Sequence, residues 1–262
     1  MTSNDRAAVP AQRRLDALGD ADGALADELY RRLRATILDC GLPPDTVISQ
    51  VRLARQFGIS RTPLREVLRL LERDRLVVSE RNRRVRIMGF SVADLDEVYA
   101  ARIAVEPLAA RLSAAALSSA ARDELAGRHA EMARDVGRGD FGAWQAAHRA
   151  FHDLLTAGAP PRIKDMVAQL ADHADRYRRI YTTTGAVPWG VDSHDDVLDR
   201  ALAADRDGLS QALARHIARA GLMAVAAADP GYEAVLIRES LRLVVPAEPT
   251  APARRRPARP TA

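Results

Sequence analysis

The sequence predicts a mainly α chain in two parts: an N-terminal winged helix-turn-helix with a small β-hairpin, and a C-terminal all-α antiparallel bundle. Three observations carry that expectation. Alanine and leucine abound while β-branched runs are few, a composition that favours helix. Between residues 24 and 87 the pattern runs helix, helix, tight turn, helix, hairpin, which is the winged helix-turn-helix order. From Ser91 onward the sustained patterns repeat at helical spacing. The 262 residues suit two modest domains better than one. These are placed at 21–90 and 91–245, between a disordered arm (1–20) and a disordered, Pro-rich basic tail (246–262). The tail is read as solvated, with phosphate contact as its other reading.

In chain order, Leu25, Leu29, Leu33 and Ile37 recur at spacing four and mark one face of an amphipathic helix. Gly41 and the prolines behind it end that helix. Ser49 is placed to cap a short helix running to about Phe57, which Gly58 breaks. Ser60 is expected to cap the next helix, Arg61 to Arg73, with Leu64, Val67, Leu68 and Leu71 as its buried face. Leu76–Val78 and Val85–Ile87 then flank a polar turn, Glu80 to Arg84, as the two strands of a hairpin. The bundle helices are expected at 91–117, 119–137, 140–157, 161–183, 190–204, 206–227 and 230–243. Turn signals separate them at Gly137–Gly139, Gly158–Pro161 and Gly185–Gly190.

Charge is divided between the two parts. Residues 41–90 hold eleven arginines and five acids, whereas residues 91–246 hold 18 basic and 22 acidic side chains. Only the first segment is suited to a polyanion, and arginine forks fit phosphates and guanine edges. One cysteine excludes an intrachain disulfide. No apolar run approaches 18 residues and no signal-peptide core is present, so a cytoplasmic chain without a membrane partner is expected.

A helix-turn-helix lays its second helix in the major groove with the N-terminal end towards the bases. Here that end carries Ser60, Arg61, Thr62 and Arg65. Arg61 and Arg65 are four apart and share a face, and each can pair bidentately with a guanine. The Ser60 and Thr62 hydroxyls lie where a phosphate oxygen is welcome. Arg81, Arg83 and Arg84 give the hairpin turn a charge suited to the minor groove or backbone. Double-stranded operator DNA is the expected partner.

Residues 49–87, and above all the contiguous Gly58–Leu68 (GISRTPLREVL), resemble the GntR family of regulators. In that family the residues matching Arg61, Thr62 and Arg65 contact DNA, so the resemblance implies the same role here. Three positions depart from the family pattern. Val51 stands where an arginine is usual, with Arg52 one place on; that shift turns the side chain by about 100° on a helix and points Arg52 to phosphate. Arg75 and Arg84 stand at two usual glycines, before the first wing strand and at the wing tip.

The second half carries six-histidine chemistry of a different kind. His148 and His152 are four apart on one predicted helix, a spacing that lets two imidazoles grip one metal ion. His194 and His216 lie on two later helices, and facing helices of a bundle can bring such side chains together. The alternative is four separate hydrogen-bonded structural histidines, the reading given to His129 and His173.

Residues 94–110 (DLDEVYAARIAVEPLAA) resemble the opening of the FCD domain of FadR-type GntR regulators, with Val105 in place of leucine. The resemblance implies a bundle of six or seven helices that forms a homodimer and binds a small organic acid. It also matches His152, His194 and His216 to three metal-ligating histidines, and places His148 where an Asp or Asn is usual. A neutral set of four imidazoles suits a divalent transition metal, zinc or nickel, better than magnesium or calcium. Arg102 matches an arginine that faces the effector cavity; its other reading is an ion pair with Glu106. Arg176 and Tyr177 are further candidates for the cavity wall.

These readings converge on a ligand-gated repressor in which the segment near Met88–Ser91 passes a change in the bundle to the winged domain. Two others stand beside it. In one the helical half only dimerises. In the other it is a metal-dependent hydrolase, which lacks a general base because Asp153 and Asp195 adjoin putative ligands and point about 100° away from them.

Overall fold

The computed structural model describes residues 26–184, 189–190 and 193–246. The expected N-terminal arm, Leu25 and the tail beyond Pro246 lie outside the described residues, as does most of the turn at 185–190. The elements run α1 (Ala26–Leu38), β1 (Val47–Ser49), α2 (Gln50–Gln56), α3 (Arg61–Arg73), β2 (Val77–Glu80), β3 (Arg84–Ile87), α4 (Val92–Ser113), α5 (Ser119–Arg138), α6 (Phe141–Thr156), α7 (Pro161–Thr184), α8 (Asp195–Leu202), α9 (Arg206–Ala228) and α10 (Val235–Val244).

The first part is a winged helix-turn-helix. Leu29, Leu33 and Ile37 of α1 meet Leu64, Val67, Leu68 and Leu71 of α3 in one buried cluster, so the apolar stripes expected on both helices face one another. Ser49 caps α2, its hydroxyl accepting from the Arg52 amide at 3.4 Å. Gly58, at φ 61°, provides the left-handed turn that redirects the chain into α3. Ser60 occupies the N-cap position of α3, but its side chain makes no capping hydrogen bond, so the expected cap is positional only.

The sheet holds one strand more than the hairpin expected. It is antiparallel with order β1-β3-β2, and Val47, Ile48 and Ser49 of β1 pair with Arg86, Val85 and Arg84. The wing turn is narrower than Glu80–Arg84. Asn82 and Arg83 take positive φ at its tip, while Arg84 already lies in β3 opposite Glu80.

The second part is helical throughout. The long helix α4 packs against α6, α7, α9 and α10. It ends at Ser113 and continues as a 3-10 turn, Ala114–Ala116, short of the expected 117. Gly139 closes α5 at φ 69°, and Asp140 caps α6 by accepting from the Ala143 amide. Pro161 opens α7 at a position where its missing N–H costs nothing. Helix α8 begins at Asp195 rather than 190, with His194 at its N-cap.

Polar contacts join the two parts. Arg34 of α1 pairs with Asp172 of α7 at 2.6 Å. Arg75 reaches Asp94 and Glu97 of α4 at 3.2 and 2.9 Å from a left-handed backbone, φ 54°, where glycine would be unstrained. The linker carbonyl of Met88 accepts from Arg176, and Phe90 packs edge-on against Tyr177 and Tyr181.

Helix α10 has no cap of its own and takes one from α4. The buried Asp96 carboxylate accepts from the Leu236 and Ile237 amides at 3.2 and 3.0 Å. Asp96→Ala is therefore expected to destabilise the chain by about 1–3 kcal/mol in urea unfolding, with Asp96→Asn, which retains an acceptor oxygen, recovering part of the loss. A neutral Asp96→Ala would mean that α10 docks by apolar packing alone.

Candidate metal centre and nucleic-acid interface

Four histidines from three elements meet inside the bundle. The spacing of His148 and His152 puts both rings on one face of α6, 4.5 Å apart between centroids. His194 enters from the N-cap of α8 and His216 from α9, with their centroids 4.1 Å apart. All four are buried, and their ligand nitrogens lie within 4.8 Å of one another. Metal–nitrogen bonds of about 2.1 Å set tetrahedral donors about 3.4 Å apart, so a modest contraction would close the cluster on an ion. His148 Nδ1 and His152 Nε2 are buried with no hydrogen-bond partner. Burial pushes both imidazoles well below their ordinary pKa, and nearby Arg178, Arg102 and the other histidines push in the same direction. Both rings are thus neutral near pH 7 and keep a lone pair.

Neighbours orient the ligands. Glu106 Oε2 lies 3.9 Å from His152 Nδ1. The same carboxylate takes Arg102 in a fork, Nε to Oε1 at 2.5 Å and Nη2 to Oε2 at 3.1 Å. His129 of α5 pairs with Asp195 at 3.0 Å and fixes the start of α8 beside His194. Asp195 is thereby engaged outside the cluster, as is Asp153 with Arg149 at 3.0 Å. Neither faces the imidazoles as a base.

His148, His194 and His216 line a cavity within the bundle. Arg102 lines it while paired with Glu106, so both readings of that residue hold at once. Arg176 and Tyr177 do not line it. Arg176 donates to the Met88 carbonyl and Tyr177 to Asp94, so both serve the interdomain contact. The helical turn explains the correction. Arg178, Tyr181 and Thr182 share the face turned to the cavity; Arg176 points to roughly the opposite side of α7, while Tyr177, one turn before Tyr181, lies at the edge of that face and is taken up by Phe90 and Asp94. Trp144 and Trp189 complete the wall. Trp144 was readable in principle, since it precedes His148 by four residues, whereas Trp189 has no local signal.

In the winged part, Arg52, Ser60, Arg61, Thr62, Arg65, Arg81, Arg83 and Arg84 are all exposed. Among the described residues none of these six guanidiniums is held in an ion pair, while Arg34, Arg75, Arg86, Arg102 and Arg149 all are. Exposed and uncompensated, the six supply the positive surface a polyanion needs.

Comparison with known proteins follows the same division. The family model described as bacterial regulatory proteins, gntR family, matches residues 25–87, and that of the FCD domain matches residues 97–219. An uncharacterized HTH-type transcriptional regulator from the TAR-I ttuE-ttuC' intergenic region of Agrobacterium vitis is 32% identical over 133 residues, half of this chain and 78% of that one. The HTH-type transcriptional repressor GlaR of Escherichia coli K12 is 28% identical, over 72% of this chain and 90% of its own. A shorter match, 36% identical, joins 32% of the chain to 38% of the Bacillus subtilis HTH-type regulator YdhC. A putative GntR regulator from Rhodococcus sp. RHA1 shares the fold at TM-score 0.63 and 20% identity, covering 79% of this chain and 99% of that one. Among the described residues no helix is long and apolar enough to cross a membrane.

The Arg102–Glu106 pair has a consequence for stability. Removing one partner leaves the other charge buried alone, so Glu106→Ala is expected to cost about 3–5 kcal/mol. The double substitution Arg102→Met/Glu106→Leu should cost much less by the same urea measurement. Equal losses in both variants would mean that shape, not charge, sets the cost.

Proposed function

The chain belongs to the GntR family of DNA-binding transcriptional regulators, with an FCD domain behind its gntR domain, and from that membership we propose that it is a repressor released from its operator by a small carboxylate. The observation that carries this reading is the contact between cavity and linker. Tyr181 lines the cavity, and Phe90, between the two domains, packs edge-on against it at 5.2 Å. A ligand that displaces Tyr181 acts directly on the segment that sets the winged domain. Such a ligand shifts the equilibrium only through its different affinity for the two arrangements.

In this reading Arg61, Thr62 and Arg65 meet base edges in the major groove, and Arg52 and Ser60 meet phosphates. The Ser60 hydroxyl is not engaged in capping its own helix, which leaves it for such a contact. Arg81 and Arg83 at the wing tip enter the minor groove, and Arg84, one residue into the strand, stays with the backbone. A two-fold homodimer would hold two such helices at the spacing of a palindromic operator.

The four histidines are assigned to one divalent transition metal, zinc or nickel, which a neutral nitrogen set favours. The two partnerless nitrogens of His148 and His152 support the fit. The ion would supply a positive charge and an exchangeable position for an acid oxygen, while Arg102 and Arg178 flank the entering carboxylate.

The DNA half of the proposal is tested by operator titration at two salt concentrations. Arg65→Ala is expected to lower specific affinity by about 1–3 kcal/mol, roughly 5- to 150-fold, with little effect on random DNA. Arg83→Ala should instead weaken both and reduce the salt slope by about one. Specific affinity that is insensitive to salt and unchanged by Arg65→Ala would remove the assignment of α3 as the reading helix.

A further inference from the structure

The chain is poor in aromatic residues, 4% in all, yet both of its tryptophans and two of its five tyrosines line this cavity. Trp144 and Trp189 lie 5.7 Å apart between ring centroids, backed by Phe141 at 6.0 and 5.6 Å. Trp144 also lies 4.9 Å from His148, so the aromatic wall adjoins the imidazoles directly. Ile217, Ala220, Met223 and Ala224 continue the wall without a hydrogen-bonding side chain.

The charged groups of the lining are the two guanidiniums of Arg102 and Arg178, beside the imidazoles and the hydroxyls of Thr182, Tyr99 and Tyr181. Arg102 directs two of its nitrogens to Glu106. Arg178 pairs with Asp175 and holds its guanidinium carbon 5.7 Å over the Trp144 ring, at the border between aromatic wall and histidines. The cavity therefore offers two guanidiniums, each already holding a carboxylate and able to take one acid head, and a remainder in which aromatic rings and alkyl groups predominate.

From this division we infer that the effector is an aryl carboxylate, an acid whose body is a planar aromatic ring, and not a sugar acid or a flexible alkyl acid. The inference rests on the proposed reading that the cavity takes a small acid, and it narrows that acid's chemistry. Several hydroxyl groups of a sugar acid would lose water against the ring faces of Trp144 and Trp189 and against Met223, surfaces that return few hydrogen bonds. An alkyl chain would be accommodated but would lose its rotamers and gain none of the ring–ring contacts a planar body makes with the two indoles.

Phenylacetate, hexanoate and gluconate serve as the probes. Each is titrated into the full-length, zinc-incubated protein by calorimetry and by intrinsic tryptophan emission, which reports on the cavity because both indoles stand in its wall. Phenylacetate is expected to bind at least tenfold more tightly than either other acid and to change the emission. Trp189→Leu and, separately, Trp144→Leu are each expected to weaken phenylacetate at least fivefold, with circular dichroism confirming the helical fold. Gluconate or hexanoate binding as tightly as phenylacetate overturns the inference and leaves the acid-binding cavity standing. Binding of none of the three overturns both.

Discussion

Four imidazoles turned towards one buried point constrain this structure more than any other feature. Burying a polar ring without a partner is unfavourable, and here His148 and His152 each present a nitrogen that no protein group satisfies. The surrounding architecture keeps that arrangement in place. The i, i+4 spacing on α6 fixes two rings, the α8 cap fixes the third, and α9 brings the fourth. Glu106 stands behind His152 and is itself held by Arg102, while His129 anchors Asp195 beside His194. Two of these rings carry a buried nitrogen with no protein partner, beside two further imidazoles within reach of the same point. Convergence of lone pairs is what a metal requires.

Helix α4 ties that centre to the winged domain. One of its turns carries Arg102 and Glu106 against the cluster, and its first turns carry Asp94 and Glu97, which hold Arg75. Helix α7 makes the second connection. Its Arg178 and Tyr181 face the cavity, its Asp172 holds Arg34 of α1, and its Arg176 holds the linker at Met88. Between Arg178 and Arg34 lies an unbroken series of ion pairs through Asp175, Arg149 and Asp172. A charged ligand beside Arg178 would compete with Asp175 for it, and the last pairing in the series, Asp172 with Arg34, reaches the DNA-binding half. The two domains are thus linked both by rings, Tyr181 to Phe90, and by charges.

What the sequence made legible was set by periodicity. The buried face of α3 is Leu64, Val67, Leu68 and Leu71 because an amphipathic stripe needs no tertiary knowledge to read, and the same holds for His148 and His152. The match of His194 and His216 came from family resemblance, since no spacing rule joins residues on separate helices. Strand β1 was not legible: three residues form a strand only because β3 lies beside them. Arg176 and Tyr177 were misplaced because they are buried against the linker and Asp94 and not against the cavity, a choice between two inward neighbours that α7's own sequence does not reveal. Arg75 was visible as an arginine at a glycine position, but its compensation, two carboxylates on α4, lies nineteen and more residues away.

The central claim, that the buried histidines form a metal centre, is tested most directly by elemental analysis of the untagged full-length protein after incubation with zinc or nickel and removal of excess ion. The account predicts about one ion per chain, the stoichiometry of a single four-ligand site, and its loss in His148→Ala/His152→Ala. A wild-type chain that retains no transition metal would contradict it and return the four imidazoles to a structural or ligand-contacting role.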